Sequence, residues 1–152
     1  MTVFLVRHAK AGSRQRWDGP DDQRPLTKPG RAQAGALAAL LEGEGITQVI
    51  SSPYVRCRQT VEPLAQKLLL PVDLSDALAE GAPLREALRL LEKVSDENTV
   101  LCTHGDVLGD VLDHAERHGV VLGETRIEKG CAWVLEVEAG AVTAARYVPA
   151  PQ

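Results

Sequence analysis

Two histidines and two arginines stand where this chain of 152 residues changes from one element to the next. Arg7 and His8 follow the run Thr2-Val3-Phe4-Leu5-Val6, Arg56 follows Ser52-Pro53, and His104 follows Thr99-Val100-Leu101-Cys102-Thr103. Together these residue types suit the handling of phosphate. The planar fork of arginine matches two phosphate oxygens at once and stays charged at any working pH. A neutral imidazole is a competent nucleophile, and a covalent intermediate splits one hard displacement into two easier ones. Phosphoryl transfer asks mainly for positioning and charge neutralisation, which two arginines and a second, protonated histidine supply without a metal. Surrounding positive charge favours a neutral His8, whereas a bound phosphate dianion favours a charged His104, so the two divide the work. A departing alcohol or amine also needs a proton. Glu80, in Ala77-Leu78-Ala79-Glu80-Gly81, is the candidate donor, the alternative being a solvated loop acid.

These groups converge only if the chain is an open α/β sheet, in which the carboxyl ends of parallel strands share one edge. The opening aliphatic run reads as a buried strand. Residues 46–52, 71–74 and 98–103 read as further strands, and 131–138 with 141–147 as a closing pair turned at Ala139-Gly140. Between them lie four helical patterns. Thr27 is an N-cap with Pro29 in the first turn, and Ala34, Leu37, Ala38 and Leu41 follow before Gly43 and Gly45. Ser52 caps a helix begun by Pro53, whose buried face is Val61, Leu64, Ala65, Leu68 and Leu69; Pro63 predicts a kink or a late start. Leu84, Ala87, Leu88 and Leu91 mark the third helix. Asp106 caps the fourth, with Val107, Leu108, Val111, Leu112 and Ala115 inside. Strands alternating with helices predict a three-layer α/β/α sandwich with a mainly parallel sheet, as a single domain over residues 1–152. The Pro53 helix start adds free N–H groups and the positive end of its dipole, and helical side chains lean toward the N-terminus, which swings Arg56 over the same spot.

Composition narrows the function classes. Five aromatic residues leave an aliphatic core as the expectation. A net charge of -4 lacks the clustered basic surface of a nucleic-acid binder. Cys57, Cys102 and Cys131 have no CxxC spacing and read as free thiols in a reducing cytoplasm. No apolar run nears the ~20 residues of a membrane span, and the N-terminus lacks the layout of a signal peptide, so a cytoplasmic location without membrane partners is expected. His114 and His118 share a helix face, but no glutamate directly follows His114 as a zinc protease motif requires. They read as a solvated helix end, and no metal or cofactor is expected. No heptad or exposed apolar stripe fixes an oligomeric state.

Four stretches resemble the histidine phosphatase superfamily, also called the phosphoglycerate mutase-like fold. They are Val6-Arg7-His8-Ala9, Arg24-Pro25-Leu26-Thr27-Lys28-Pro29-Gly30-Arg31-Ala32-Gln33-Ala34, Ser51-Ser52-Pro53-Tyr54-Val55-Arg56-Cys57-Arg58-Gln59-Thr60 and Thr103-His104-Gly105, in the family's order. The resemblance implies that His8 is the phosphorylated nucleophile, that Arg7, Arg56 and His104 form the phosphate pocket, and that Glu80 falls at the position of the proton donor. Between Ser52 and His104 there is little room for the helical insertion that caps the pocket in mutases and acid phosphatases. In this the chain resembles the short SixA-type phosphohistidine phosphatases, and also the phosphatase domain that follows a Nudix hydrolase domain in some actinobacterial proteins. The implied substrate is protein phosphohistidine; nucleotides or other small phosphomonoesters, a mutase activity and a non-catalytic phosphate-binding module are the alternatives. Arg24, inside one of the stretches, together with Ser13 and Thr27, is a candidate substrate contact. Arg14 and Arg16 share the polar loop 13–25, which reads as solvated and beside the site.

Overall fold

β1 (Thr2–Arg7) lies inside a six-stranded sheet and separates its two halves. On one side it pairs in parallel with β4 (Thr99–Thr103), which pairs with β2 (Gln48–Ser51), which pairs with the edge strand β3 (Val72–Leu74). On the other side it pairs antiparallel with β5 (Ala132–Glu138), and β5 with β6 (Ala141–Val148). The computed structural model describes residues 1–151.

The strand period of two decides the layers. Phe4 and Val6 point to the face shared with Val49, Val100 and Cys102, which α1 (Lys28–Leu41) and α2 (Val55–Leu68) cover with Leu37, Leu41, Val61 and Leu64. Val3 and Leu5 point to the face shared with Ile50 and Leu101, covered by α3 (Leu84–Lys93) and α4 (Gly105–Arg117) through Leu91, Leu108 and Val111. This is the expected three-layer α/β fold. The register then matters for chemistry: Arg7 lies level with Thr103, and Ser51 with Cys102, so three strand ends finish on one edge. The core is less aliphatic than composition suggests, because Trp133 is fully buried and its indole N–H donates to the Arg126 carbonyl at 3.0 Å.

Local corrections follow from where polar groups find partners. α2 begins at Val55 rather than Pro53. The Ser52 hydroxyl accepts the Tyr54 N–H at 3.2 Å and also meets His104, so Ser52 shapes the turn before the helix instead of capping it. Pro63 sits inside α2 and does not delay its start. Asp106 is not the cap of α4, which is at His104; its carboxylate accepts the Gly81 N–H at 2.7 Å and ties down the loop after Leu78. Thr27 does cap α1, accepting the Gly30 N–H at 3.1 Å. The 13–25 loop is less solvated than its composition implies, since it carries a short 3-10 turn at Asp21–Gln23 and a buried Arg24. His118 Nδ1 lies 2.8 Å from the His114 carbonyl at the end of α4. No described helix is long and apolar enough to cross a membrane.

Candidate active site

The β1 tip is held from both sides. The His8 N–H donates to the Thr103 carbonyl at 3.0 Å, and the Gly130 N–H donates to the His8 carbonyl at 3.0 Å. His8 is only 5% exposed. Its Nδ1 lies 2.8 Å from the Ala9 carbonyl oxygen, which can only accept, so Nδ1 carries the proton and Nε2 keeps its lone pair. Burial pushes the His8 pKa down, and the positive charge of His104, Arg56 and Arg7 pushes it further against the Ala9 bond, to about 3. His8 is therefore a neutral imidazole with an oriented nucleophilic nitrogen at any physiological pH.

The other three residues surround it. Arg7 Nη1 donates to the Ile127 carbonyl at 2.7 Å. Arg56 is fully buried; Nη1 donates to the Asp21 carbonyl at 2.8 Å and Nη2 lies 3.1 Å from Asp21 Oδ2, with the guanidinium over the Tyr54 ring at 4.8 Å. His104 Nε2 is 2.9 Å from Ser52 Oγ and 3.5 Å from Cys57 Sγ, and its ring stands edge-on to His8 at 5.4 Å. Arg7 Nε, Arg56 Nε and His104 Nδ1 are buried with no partner among the described residues. Buried polar nitrogens are nearly always satisfied, and these three belong to residues lining one cavity of about 260 Å³.

Of the residues expected from sequence, Arg7, His8, Ser13, Arg24, Arg56, Glu80 and His104 line that cavity. Thr27 does not. Its hydroxyl is taken up by the α1 cap and by the Lys10 carbonyl at 3.1 Å. Glu80 accepts from Arg14 Nη2 at 3.1 Å and lies 3.7 Å from Arg56, so its carboxylate is engaged by two guanidiniums. Sequence reasoning missed Asp21, which collects Arg14, Arg24 and Arg56 within 3.5 Å. Burial opposes its ionisation, but the Arg24 hydrogen bond and the charge of Arg56 hold its carboxyl below the ordinary range. The Asp-Asp pair at 21–22 carried no periodic signal to distinguish it from loop acids. Lys129 was missed as well, and lines the cavity from the turn before β5. A cleft of about 190 Å³ shares Gly12, Ser13 and Arg24 with the cavity and is walled by Arg16 and by Trp17, which is 36% exposed. Among the described residues no group of three His, Cys, Asp or Glu side chains could hold a metal ion.

Known proteins identify the family and the fold. Residues 3–83 match the model of the histidine phosphatase superfamily (branch 1). An 8-oxo-(d)GTP phosphatase of Mycolicibacterium smegmatis is 40% identical over 156 residues, covering 99% of this chain; the chain spans about half of that relative, 48%. The fold matches the protein histidine phosphatase SixA complexed with tungstate at a TM-score of 0.79 and 23% identity, over 94% of this chain and 93% of that one. It also matches a putative phosphohistidine phosphatase SixA from Nakamurella multipartitia at 0.71 and 26% identity, over 99% and 95%. A family match over more than half of the chain, with an α/β sheet that carries His8 and His104 at one edge, makes this chain a member of the histidine phosphatase superfamily, branch 1.

Proposed function

We propose that the chain is a metal-independent phosphatase that works through a phosphohistidine on His8. Nε2 attacks phosphorus in line while Arg7, Arg56 and His104 receive the phosphoryl oxygens. Water then cleaves the P–N bond, releasing orthophosphate and restoring Nε2. The carrying observation is the Ala9 carbonyl 2.8 Å from His8 Nδ1, which orients a neutral ring among buried arginines. The charge stabilisation that a metal supplies elsewhere comes here from fixed guanidiniums, whose positions cost no reorganisation during the reaction.

For the substrate we favour a nucleotide. The cavity of about 260 Å³ is smaller than the roughly 300–1,000 Å³ of sites that enclose a whole drug-sized ligand, so it takes the phosphate end and leaves the remainder outside. The cleft beside it is lined by Trp17, and a base stacked on an aromatic side chain gains roughly 1–3 kcal/mol. The Mycolicibacterium relative, an 8-oxo-(d)GTP phosphatase, supports the same reading. Protein phosphohistidine is the second reading. It is favoured by the stretch between Ser52 and His104, where α2, β3 and α3 all belong to the sandwich and no inserted domain would bar a protein-borne group. Glu80 is the proposed proton donor where the leaving group needs one, and Arg24 and Ser13 are proposed contacts of the phosphate end. One domain acting in the cytoplasm fits the three buried free cysteines.

The test is a parallel assay of nucleotides, phosphohistidine protein and p-nitrophenyl phosphate, with acid-labile 32P labelling of the enzyme. His8→Ala is expected to lose at least a thousandfold in kcat and all label. Undiminished activity in that variant would overturn the mechanism, and turnover of phosphohistidine protein alone would transfer the substrate to the second reading.

A further inference from the structure

We infer that Lys129 is the seat of a second phosphate, so that the cavity accepts the terminal phosphoryl group of a phosphoanhydride chain and the next phosphate rests on the Lys129 ammonium. The inference rests on the phosphatase reading of His8 and names the class of substrate that reading takes.

Charge comes first. Arg7, Arg14, Arg24, Arg56 and Lys129 line one cavity. Two carboxylates answer them, Asp21 beside Arg14, Arg24 and Arg56, and Glu80 beside Arg14 and Arg56. With the imidazoles set aside, five cations against two anions leave an excess of three positive charges. A phosphomonoester brings roughly 1.5–2 negative charges near neutral pH and does not cancel that excess; a further phosphate does. The unanswered cations are also specific ones. Arg7 has only the Ile127 carbonyl, and Lys129 has no acidic partner among the described residues. Lys129 is exposed at the rim of the cavity, where partial desolvation and the like charges of Arg7, Arg24 and Arg56 hold its ammonium below its ordinary pKa. An anion between them reverses the sign of that interaction.

Position comes second. Lys129 does not hang from a free loop. The next residue, Gly130, donates its N–H toward the carbonyls of Arg7 at 3.2 Å and His8 at 3.0 Å, and the Ile127 carbonyl two residues earlier holds Arg7. The backbone that carries Lys129 is thus bonded to the same two residues that present the nucleophile and its first arginine. A group gripped by Lys129 is registered against His8.

Leaving-group chemistry comes third. In the step proposed, the bond between the terminal phosphorus and the bridging oxygen breaks, its electron pair stays on that oxygen, and a P–N bond forms at His8 Nε2. The departing group is a phosphate oxyanion, which needs no proton, unlike the alkoxide of a sugar phosphate. Glu80, the acid that lines the cavity, is engaged by Arg14 and Arg56, an arrangement suited to a leaving group of that kind. Water then attacks the phosphohistidine, and orthophosphate leaves with the released proton passing to solvent.

The test separates this inference from the reading beneath it by measuring binding without turnover. Calorimetry would compare inorganic phosphate, methylenediphosphonate and 3-phosphoglycerate on the wild-type chain, on Lys129→Ala and on Lys129→Arg. The expected result is methylenediphosphonate tighter than phosphate by at least tenfold on wild type. Lys129→Ala should lose that preference while phosphate affinity stays within twofold, and Lys129→Arg should keep it. Equal affinity of the two ligands for wild type, equal weakening of both in Lys129→Ala, or tighter binding of 3-phosphoglycerate than of the diphosphonate would each overturn it. Turnover of GDP and of inorganic pyrophosphate by the wild type then distinguishes a nucleotide from a simpler anhydride. Loss of p-nitrophenyl phosphate turnover in His8→Ala tests the underlying mechanism separately.

Discussion

Ser52 Oγ lies 2.9 Å from His104 Nε2, across 52 residues of sequence, while Nδ1 of the same ring is buried without a partner among the described residues. One nitrogen of His104 is therefore held by the scaffold, and the ring it orients lines the cavity. A hydroxyl both donates and accepts, so Ser52 can serve the ring whether it is neutral or charged. Ser52 is a positioning residue. Removing its hydroxyl in Ser52→Ala should lower kcat by roughly 10- to 100-fold, about 1.4–2.7 kcal/mol of transition-state stabilisation, with KM little changed. Ser52→Thr should recover most of it. The 15N shifts of His104 would report the loosened ring, and an unchanged spectrum with unchanged kcat would refute the role.

The buried, neutral His8 makes a statement about stability as well as reactivity. Its folded pKa of about 3 lies below the ordinary 6.5, so the unfolded chain binds the extra proton between those values. Stability therefore rises with pH across that window: the contribution is complete above about pH 6.5 and is lost as pH falls toward 3, with a slope of at most ~1.4 kcal/mol per pH unit. Denaturant titrations of wild type and His8→Asn from pH 7 to pH 3 should show the shallower slope in the variant. Parallel curves would contradict a neutral His8. In the same range, any acid limb of kcat/KM above about pH 4 must belong to a group other than His8.

How much of this was legible in the sequence depends on the range of the interaction. His8 and His104 end strands whose aliphatic runs and period are local properties, and the shared edge follows from the parallel topology they imply. Thr27 capping α1 was equally readable, because its partner Gly30 is three residues away. Groups whose partners are distant were misread or missed. Ser52 read as a helix cap because its hydroxyl's second partner is His104, and Asp106 read as a cap because its true partner, Gly81, lies 25 residues away. Asp21 meets Arg56 across 35 residues, and the Ile127 carbonyl meets Arg7 across 120. No periodicity encodes such bonds; they exist only once the sheet has brought its ends together. Lys129 follows the same logic, since the antiparallel return of β5 beside β1 sets the turn against the site.

The proposed base cleft makes a spectroscopic prediction. The chain has two tryptophans. Trp133 is fully buried in the core, and Trp17 is partly exposed beside the cavity with its indole N–H bonded to the Pro20 carbonyl at 2.8 Å. Stacking of a base on Trp17 should quench that tryptophan alone. Titration of GDP should lower emission in wild type and leave Trp17→Phe nearly unresponsive, whereas ribose 5-phosphate should leave the emission of both unchanged. Trp17→Ala should raise KM for nucleotides roughly 5- to 150-fold, the range set by about 1–3 kcal/mol of stacking, and leave p-nitrophenyl phosphate within about twofold. Quenching that survives in Trp17→Phe, or an equal loss on both substrates, would remove the base from this cleft and return the balance to phosphohistidine.

Two glycines separate the scaffold from the chemistry. At Gly30 an added Cβ would lie 1.9 Å from the Lys10 carbonyl oxygen, and backbone cannot step aside there without moving α1. Gly30→Ala should therefore cost about 1–3 kcal/mol, as overpacking does, and appear as a lowered denaturation midpoint. At Gly105 the nearest atoms to an added Cβ are the far end of a side chain, Arg7 Cζ at 2.9 Å and Nη2 at 3.0 Å. The guanidinium can shift, and alanine in the first turn of α4 is a better helix former than glycine by up to ~1 kcal/mol. Gly105→Ala should hold or raise the midpoint while displacing Arg7 from the position set by the Ile127 carbonyl. Because catalytic positioning tolerates little displacement, kcat should fall at least tenfold with the fold intact. Full activity in Gly105→Ala would mean that the orientation of Arg7 does not matter to the reaction; a collapsed midpoint would mean that its packing against α4 is structural.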